Sequence, residues 1–148
     1  MNKYRKVLDK RGVTLVFVLA VLLIMSTLSV AIFALFSSNM NEEQMQTDAI
    51  RAHYVAQTGV DVAFGALLQN NRSLLTSYFD KATTVVITPL TDTIDLDNGT
   101  ASIVVSSYVE GTERFVLITS TGSITSSSVT QVSKMSFNVK YPQIQKWE

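Results

Sequence analysis

Residues 10–36 read KRG-VTLVFVLAVLLIMSTLSVAIFALF: a basic pair, a glycine at position 12, and then 24 residues, Val13 to Phe36, with nothing more polar than serine or threonine. At about 1.5 Å rise per residue, such a run makes a helix about 36 Å long, enough to cross a hydrocarbon core of about 30 Å. A lipid-exposed segment must satisfy its backbone within itself, so helix is the expected state. Immediately before it, Lys3, Arg5, Lys6, Lys10 and Arg11 face only Asp9. A basic flank of this kind holds its end in the cytoplasm and sends the remainder across. No nucleic-acid-binding motif accompanies the basic residues, so a topology signal is the reading and no nucleic-acid partner is inferred. A removable secretory signal has an apolar centre of about 7–15 residues and a small-x-small cleavage site. This run is longer, and Ile32-Phe33-Ala34 puts a bulky residue where a small one is needed. A retained, single-pass membrane helix is expected.

With 148 residues in all, the part outside the apolar helix has room for one small domain. The 12 basic and 12 acidic residues balance, and there is no cysteine, so disulfides, thiol catalysis and thiolate metal sites are excluded. The domain must hold itself by packing and sheet hydrogen bonds.

After Ser37-Ser38-Asn39, taken as the membrane exit, the helical pattern continues to Asn70. Ala49, Ala52, Ala56, Gly59 with Val60, Ala63 and Leu67 recur at spacings of three and four, one face of an amphipathic helix. Tyr54, Val55, Val62 and Phe64 are assigned to its other sides. The face is mostly alanine and glycine, so a partner surface can come close. Gly59 and Gly65 each cost about 1 kcal/mol relative to alanine in a helix, which implies close backbone contact or a bend. Residues 13–70 together predict one helix on the order of 85 Å long, too long for the core of a small globule.

Asn70-Asn71-Arg72-Ser73 reads as the helix end. Leu74, Leu75, Tyr78 and Phe79 allow a short helix, TTVVIT at 83–88 has strand composition before Pro89, and 91–99 reads as a polar loop. From Thr100 the pattern is strand. Ala101, Ile103, Val105 and Val109 alternate with polar residues, and Gly111-Thr112-Glu113 turns. FVLITS at 115–120 is apolar on both faces, as in a central strand, and Gly122-Ser123 turns again. Met135, Phe137, Val139 and Tyr141 alternate with Ser136, Asn138 and Lys140. The expected fold is α+β: a long N-terminal helix, membrane span plus amphipathic half, packed on a small three-stranded antiparallel meander. The expected divisions are 1–12, 13–36, 37–70 and 71–148.

No set of residues assembles a catalytic constellation, and no metal or cofactor is expected. Asp95-Leu96-Asp97-Asn98-Gly99 opens like a calcium loop, but the twelfth position, where a bidentate glutamate is needed, is Ser106. An Asn-Gly turn before a strand is the better reading. His53 is single and has no nucleophile or carboxylate in register, so it reads as a solvated or interface residue. The serines of 123–128 lack a G-x-S-x-G turn and read as a loop.

Lys10-Arg11-Gly12 followed by Val13-Thr14-Leu15 and an unbroken apolar helix resembles the class III leader of type IV pilin-like proteins. The resemblance implies that a membrane prepilin peptidase cuts after Gly12 and methylates Val13 as the new N-terminus. Ala52-x-x-x-Ala56-Gln57-x-Gly59-Val60-Asp61-x-Ala63 is similar to the A-x-x-x-A-E-x-G-I-E-x-A run of PilX-like minor pilins and the K-type minor pseudopilin. FVLITSTG at 115–122 resembles the Y-x-I-x-S-x-G strand of the same group. The similarity touches leader, helix and sheet. It implies a filament subunit whose partners are the prepilin peptidase, the cytoplasmic membrane and other pilin subunits met through the N-terminal helix. Its location would be the cytoplasmic membrane and then an extracellular or periplasmic filament.

Two positions depart from the family pattern. Val13 replaces the usual first phenylalanine, a mild change, and Phe17 replaces the glutamate usual at the fifth mature position. A carboxylate in mid-bilayer costs about 2.5–3.5 kcal/mol and is kept only for a purpose. In the family it is thought to pair with the charged N-terminus of a neighbour already in the filament. Phe17 cannot make that pair, and members of the group that lack the glutamate are placed at the filament tip. The expectation is therefore a minor, tip-proximal or assembly-initiating subunit. A minor pseudopilin of a type II secretion system, and a membrane-anchored binding or sensor domain, are the alternatives. The second gives no reason for a helix running about 30 residues past the membrane with an alanine-glycine face, and the K-type pseudopilin usually carries an extra helical domain for which this chain has no room.

Overall fold

The computed structural model describes residues 10–148, and their side chains from Thr14 onward. The chain divides into two compact units between Gln44 and Met45. One helix, α1, runs Lys10–Leu74. Lys10, Arg11 and Gly12 are helical; lysine and arginine are good helix formers and no proline intervenes. Residues 1–9 of the expected leader lie outside the described residues.

In the first unit α1 is long and apolar enough to cross a membrane, and every side chain from Thr14 to Gln44 is exposed. Three hydroxyls within the apolar stretch are satisfied by the helix itself. Ser26 Oγ donates to the Leu23 carbonyl at 2.9 Å, Thr27 Oγ1 to Ile24 at 2.9 Å, and Ser29 Oγ to Met25 at 2.8 Å. Such back-bonding lets these three hydroxyls sit on an apolar surface without an outside partner, as a lipid-facing helix requires.

In the second unit the rest of α1 lies on a five-stranded antiparallel sheet, in the order β1 (Leu90–Leu96), β2 (Gly99–Glu110), β3 (Glu113–Ile124), β4 (Thr130–Asn138) and β5 (Gln145–Trp147). The layout is α+β, as expected, with two strands more than the expected three. β3 is central and alternates strictly, Val116, Ile118, Ser120 and Gly122 buried toward one side and Phe115, Leu117 and Thr119 half-buried on the other. Gly122-Ser123 is not a turn: β3 continues through it to Ile124, with Gly122 opposite Ala101 and Gln131. The Gly111-Thr112 turn stands as read, with Gly111 at φ +63°.

Two segments exchange roles relative to the sequence reading. TDTIDL, within the expected loop 91–99, lies in edge strand β1, whose exposed position suits polar alternation. TTVVIT at 83–88 has strand composition but is not a strand. Two of its carbonyls are engaged elsewhere: Arg114 Nη2 donates to Val85 at 2.7 Å, and also to the preceding Ala82 at 2.7 Å, and the Tyr78 hydroxyl donates to Thr88 at 3.0 Å.

α1 is interrupted where the helix end was expected. Gln69 takes an extended ψ of 159°, and Asn70, Asn71 and Arg72 sit at φ 52°, 55° and 62°. Asparagine visits this left-handed region readily and arginine does not. The chain then makes a π-helical turn, η1 (Leu75–Phe79), whose Leu75 and Phe79 are fully buried. They join Val60, Leu67, Ile103, Val116, Ile118, Met135 and Phe137 in the core. Each such side chain contributes about 1.5–3 kcal/mol of burial.

Candidate functional site

Among the described residues, no group of three or more histidine, cysteine or acidic side chains could hold a metal. Asp95 accepts from Thr100 Oγ1 at 3.3 Å, and Asp97 with Asn98 forms the turn between β1 and β2. His53 is exposed and lies 6.1 Å, centroid to centroid, from Tyr54. The other candidate site residues singled out in the sequence lie on α1.

The small-residue face of α1 is the helix–sheet contact. Ala52, Ala56, Gly59, Val60, Ala63 and Leu67 are buried, and Ala49 is half-buried at its N-terminal end. The surface that comes close to this face is the chain's own sheet. A Cβ on Gly59 would stand 2.9 Å from Ala101 Cβ and closer still to Ser120 Oγ. A Cβ on Gly122 would stand 2.5 Å from the Ala56 nitrogen and closer still to the Ala52 carbonyl. Two glycines, one on each element, thus let helix and strand backbones approach. Gly65, by contrast, has open space around it and sits in regular helix, so it serves neither close contact nor a bend.

The buried face is broader than the spacing implied. Val55, assigned to another side, is buried, and Phe64 is half-buried with its ring edge-on to Phe137 at 5.1 Å. A sheet is wider than a helix stripe, so flanking positions are covered too. Tyr54 and Val62 remain exposed, as read.

Arg114 carried no signal in the sequence beyond a charge in a strand. It is only 7% exposed, and its guanidinium holds the 80–89 segment through Ala82 and Val85 and donates to Ser107 Oγ at 3.1 Å. Buried charge is tolerated only when hydrogen-bonded, and here carbonyls rather than a carboxylate meet it.

At the head of α1, Gly12 and Val13 lie within the helix, and Phe17 is 67% exposed on the apolar stretch. Phe17 brings no charge to a surface that has none from Thr14 to Asn41. Comparison of this chain with protein-family models, with curated proteins and with solved structures yields no match.

Proposed function

We propose that this chain is a minor subunit of a type IV pilus or related filament, tip-proximal or assembly-initiating, cut by a prepilin peptidase after Gly12 so that Val13 becomes its first residue. The observation that carries the reading is α1 itself. From Thr14 to Phe36 it is uncharged, apolar and exposed, and its later turns lie on an antiparallel sheet through alanines and glycines. An apolar stretch of that length serves first as a membrane anchor and afterwards as a surface for helices of other subunits. The face from Ala52 to Leu67 is spent on the chain's own sheet, so helix-to-helix contacts with other subunits fall to residues 13–36. Phe17 supplies the reason for a terminal place: with no carboxylate there, the subunit does not neutralise the N-terminus of an earlier neighbour.

The test is mass spectrometry of the protein from cells with an active prepilin peptidase. The expected product begins at Val13 with a methylated amine, and an intact Met1–Gly12 segment overturns the reading.

A further inference from the structure

We propose that the apolar groove beside β1 receives the β5 edge of a second copy of this chain, with Trp147 as its anchor. The groove measures about 240 Å³ and is lined by Val62, Ala66 and Leu74 of α1 and by Leu90, Asp92 and Ile94 of β1. This edge carries Asp92, Asp95 and Asp97, all exposed, with no basic residue between Leu90 and Gly99. The opposite edge is basic: Lys146 on β5 and Lys134 on the neighbouring β4 have one acid near them, Glu148, whose carboxylate lies 3.6 Å from the Lys146 Nζ. Apolar side chains stand among those lysines, with Ile144 68% and Trp147 44% exposed. Each edge therefore combines an apolar centre with a charged rim, the usual anatomy of a specific interface, and the two rims have opposite sign.

The strand registers make the match specific. Directly opposed residues in an antiparallel pair share a face. Leu90, Asp92 and Ile94 oppose Val105, Ile103 and Ala101, all buried on the helix side, so they lie on that side. Trp147 opposes the buried Met135 and lies on the same side, whereas Lys146 opposes Ser136 on the other face. Asp95, one residue after Ile94, lies on that other face as well. Because successive strands are antiparallel, β1 and β5 run in the same direction. Two copies in one orientation can then continue a single sheet through a parallel β5–β1 pairing. This sets Lys146 beside Asp95 and Trp147 beside Leu96, on the same face as Ile94 at the end of the groove. Pairing β1 with β1 would oppose aspartates, and pairing β5 with β5 would oppose lysines. The charges thus disfavour both symmetric dimers and leave the head-to-tail contact, which repeats rather than closes. The inference stands on the sheet and the part of α1 packed on it, and does not require that α1 be processed or enter a filament.

The test uses the full chain in detergent micelles, where Trp147 is the single tryptophan and no native cysteine interferes. Trp147 emission is expected to move to shorter wavelength as protein concentration rises. Asp95→Lys or Lys146→Asp abolishes the shift, and the double variant carrying both recovers it. When Asp95→Cys chains are mixed with Lys146→Cys chains and oxidised, the mixed dimer exceeds either homodimer by about tenfold, and adding Trp147→Ala lowers its yield about tenfold. Homodimers as abundant as the mixed product, or emission indifferent to concentration and to both charge reversals, overturn the proposal.

Discussion

Gly122 of β3 lies so close under Ala56 of α1 that a Cβ added to it would sit 2.5 Å from the Ala56 nitrogen and 3.1 Å from its Cα. The atoms it would meet are helix backbone, which cannot turn aside as the end of a side chain can. Gly122→Ala therefore forces helix and sheet apart along the contact that also buries Ala52 and Gly59. Overpacking of this kind costs about 1–3 kcal/mol, and a rigid backbone neighbour puts Gly122→Ala toward the upper end. Gly65→Ala is the control, because nothing lies within 4 Å of its added Cβ. It gains up to about 1 kcal/mol of helix propensity. Chemical denaturation followed by far-ultraviolet circular dichroism measures both, and opposite signs are expected.

Ser120 shows the same contact from the sheet side. Its Oγ is buried and, among the described residues, has no hydrogen-bond partner, while it fills the space over Gly59. Ser120→Ala removes an unsatisfied polar atom and is expected to be neutral or stabilising by up to about 1 kcal/mol. Gly59→Ala alone should destabilise. Together with Ser120→Ala the loss should shrink without vanishing, since Ala101 Cβ remains 2.9 Å from the new methyl. A double-mutant cycle on the two positions reads the coupling, which additive behaviour would deny.

The contrast between these contacts and the 80–96 region explains what the residue pattern conveyed and what it concealed. The central strand was legible because FVLITS is apolar on both faces, and the helix face because burial imposes a period of 3.6 on residues 52–67. β1 was not, since an edge strand with one exposed side has no need of apolar alternation, and TDTIDL reads as loop. TTVVIT misled in the opposite direction, for its β propensity is overridden by a long-range donor, Arg114, 29 residues from Val85. Val55 and Phe64 were assigned to the wrong sides because a helical wheel knows nothing of the sheet's width. Gly122 read as a turn because the space above a glycine is a property of the neighbouring helix.

Arg114 is therefore the lever on the 80–89 segment. Its Nη2 donates to two carbonyls at 2.7 Å, and hydrogen bonds to charged groups are worth about 1.5–3 kcal/mol each. Arg114→Met keeps much of the side chain's bulk and removes the donors. The sheet is expected to survive while residues 80–89 lose order, with faster amide exchange there and tryptic cleavage after Lys81. Unchanged exchange at Val85, whose amide donates to Ala82 at 3.0 Å, would show that this turn holds itself without the arginine.

Gly12 sits in the helical backbone at the start of the apolar stretch. A peptidase that must reach this backbone at a membrane face needs a small side chain there. Under the proposed function, Gly12→Leu leaves the leader attached, detectable as a product heavier by the mass of residues 1–12, whereas Val13→Phe is processed normally. Normal processing of Gly12→Leu would remove the small-residue requirement on which the cleavage argument rests.

Phe17 offers the sharpest test of the subunit's place. Replacing it with glutamate puts a carboxyl on the apolar stretch, four residues after Val13, at a cost in membrane insertion of about 2.5–3.5 kcal/mol if it must sit at the bilayer centre. The penalty is offset only when a neighbouring subunit presents a positive N-terminus to the new carboxylate. If the chain is confined to the filament end for want of that carboxylate, Phe17→Glu allows it to follow other subunits, and its abundance in purified filaments should rise several-fold against a marker of the major subunit. Phe17→Leu preserves the apolar surface and should leave its abundance unchanged. An equal, low incorporation of the glutamate and leucine variants, with both inserted in the membrane, would mean that the place of this subunit is set by its sheet and not by residue 17.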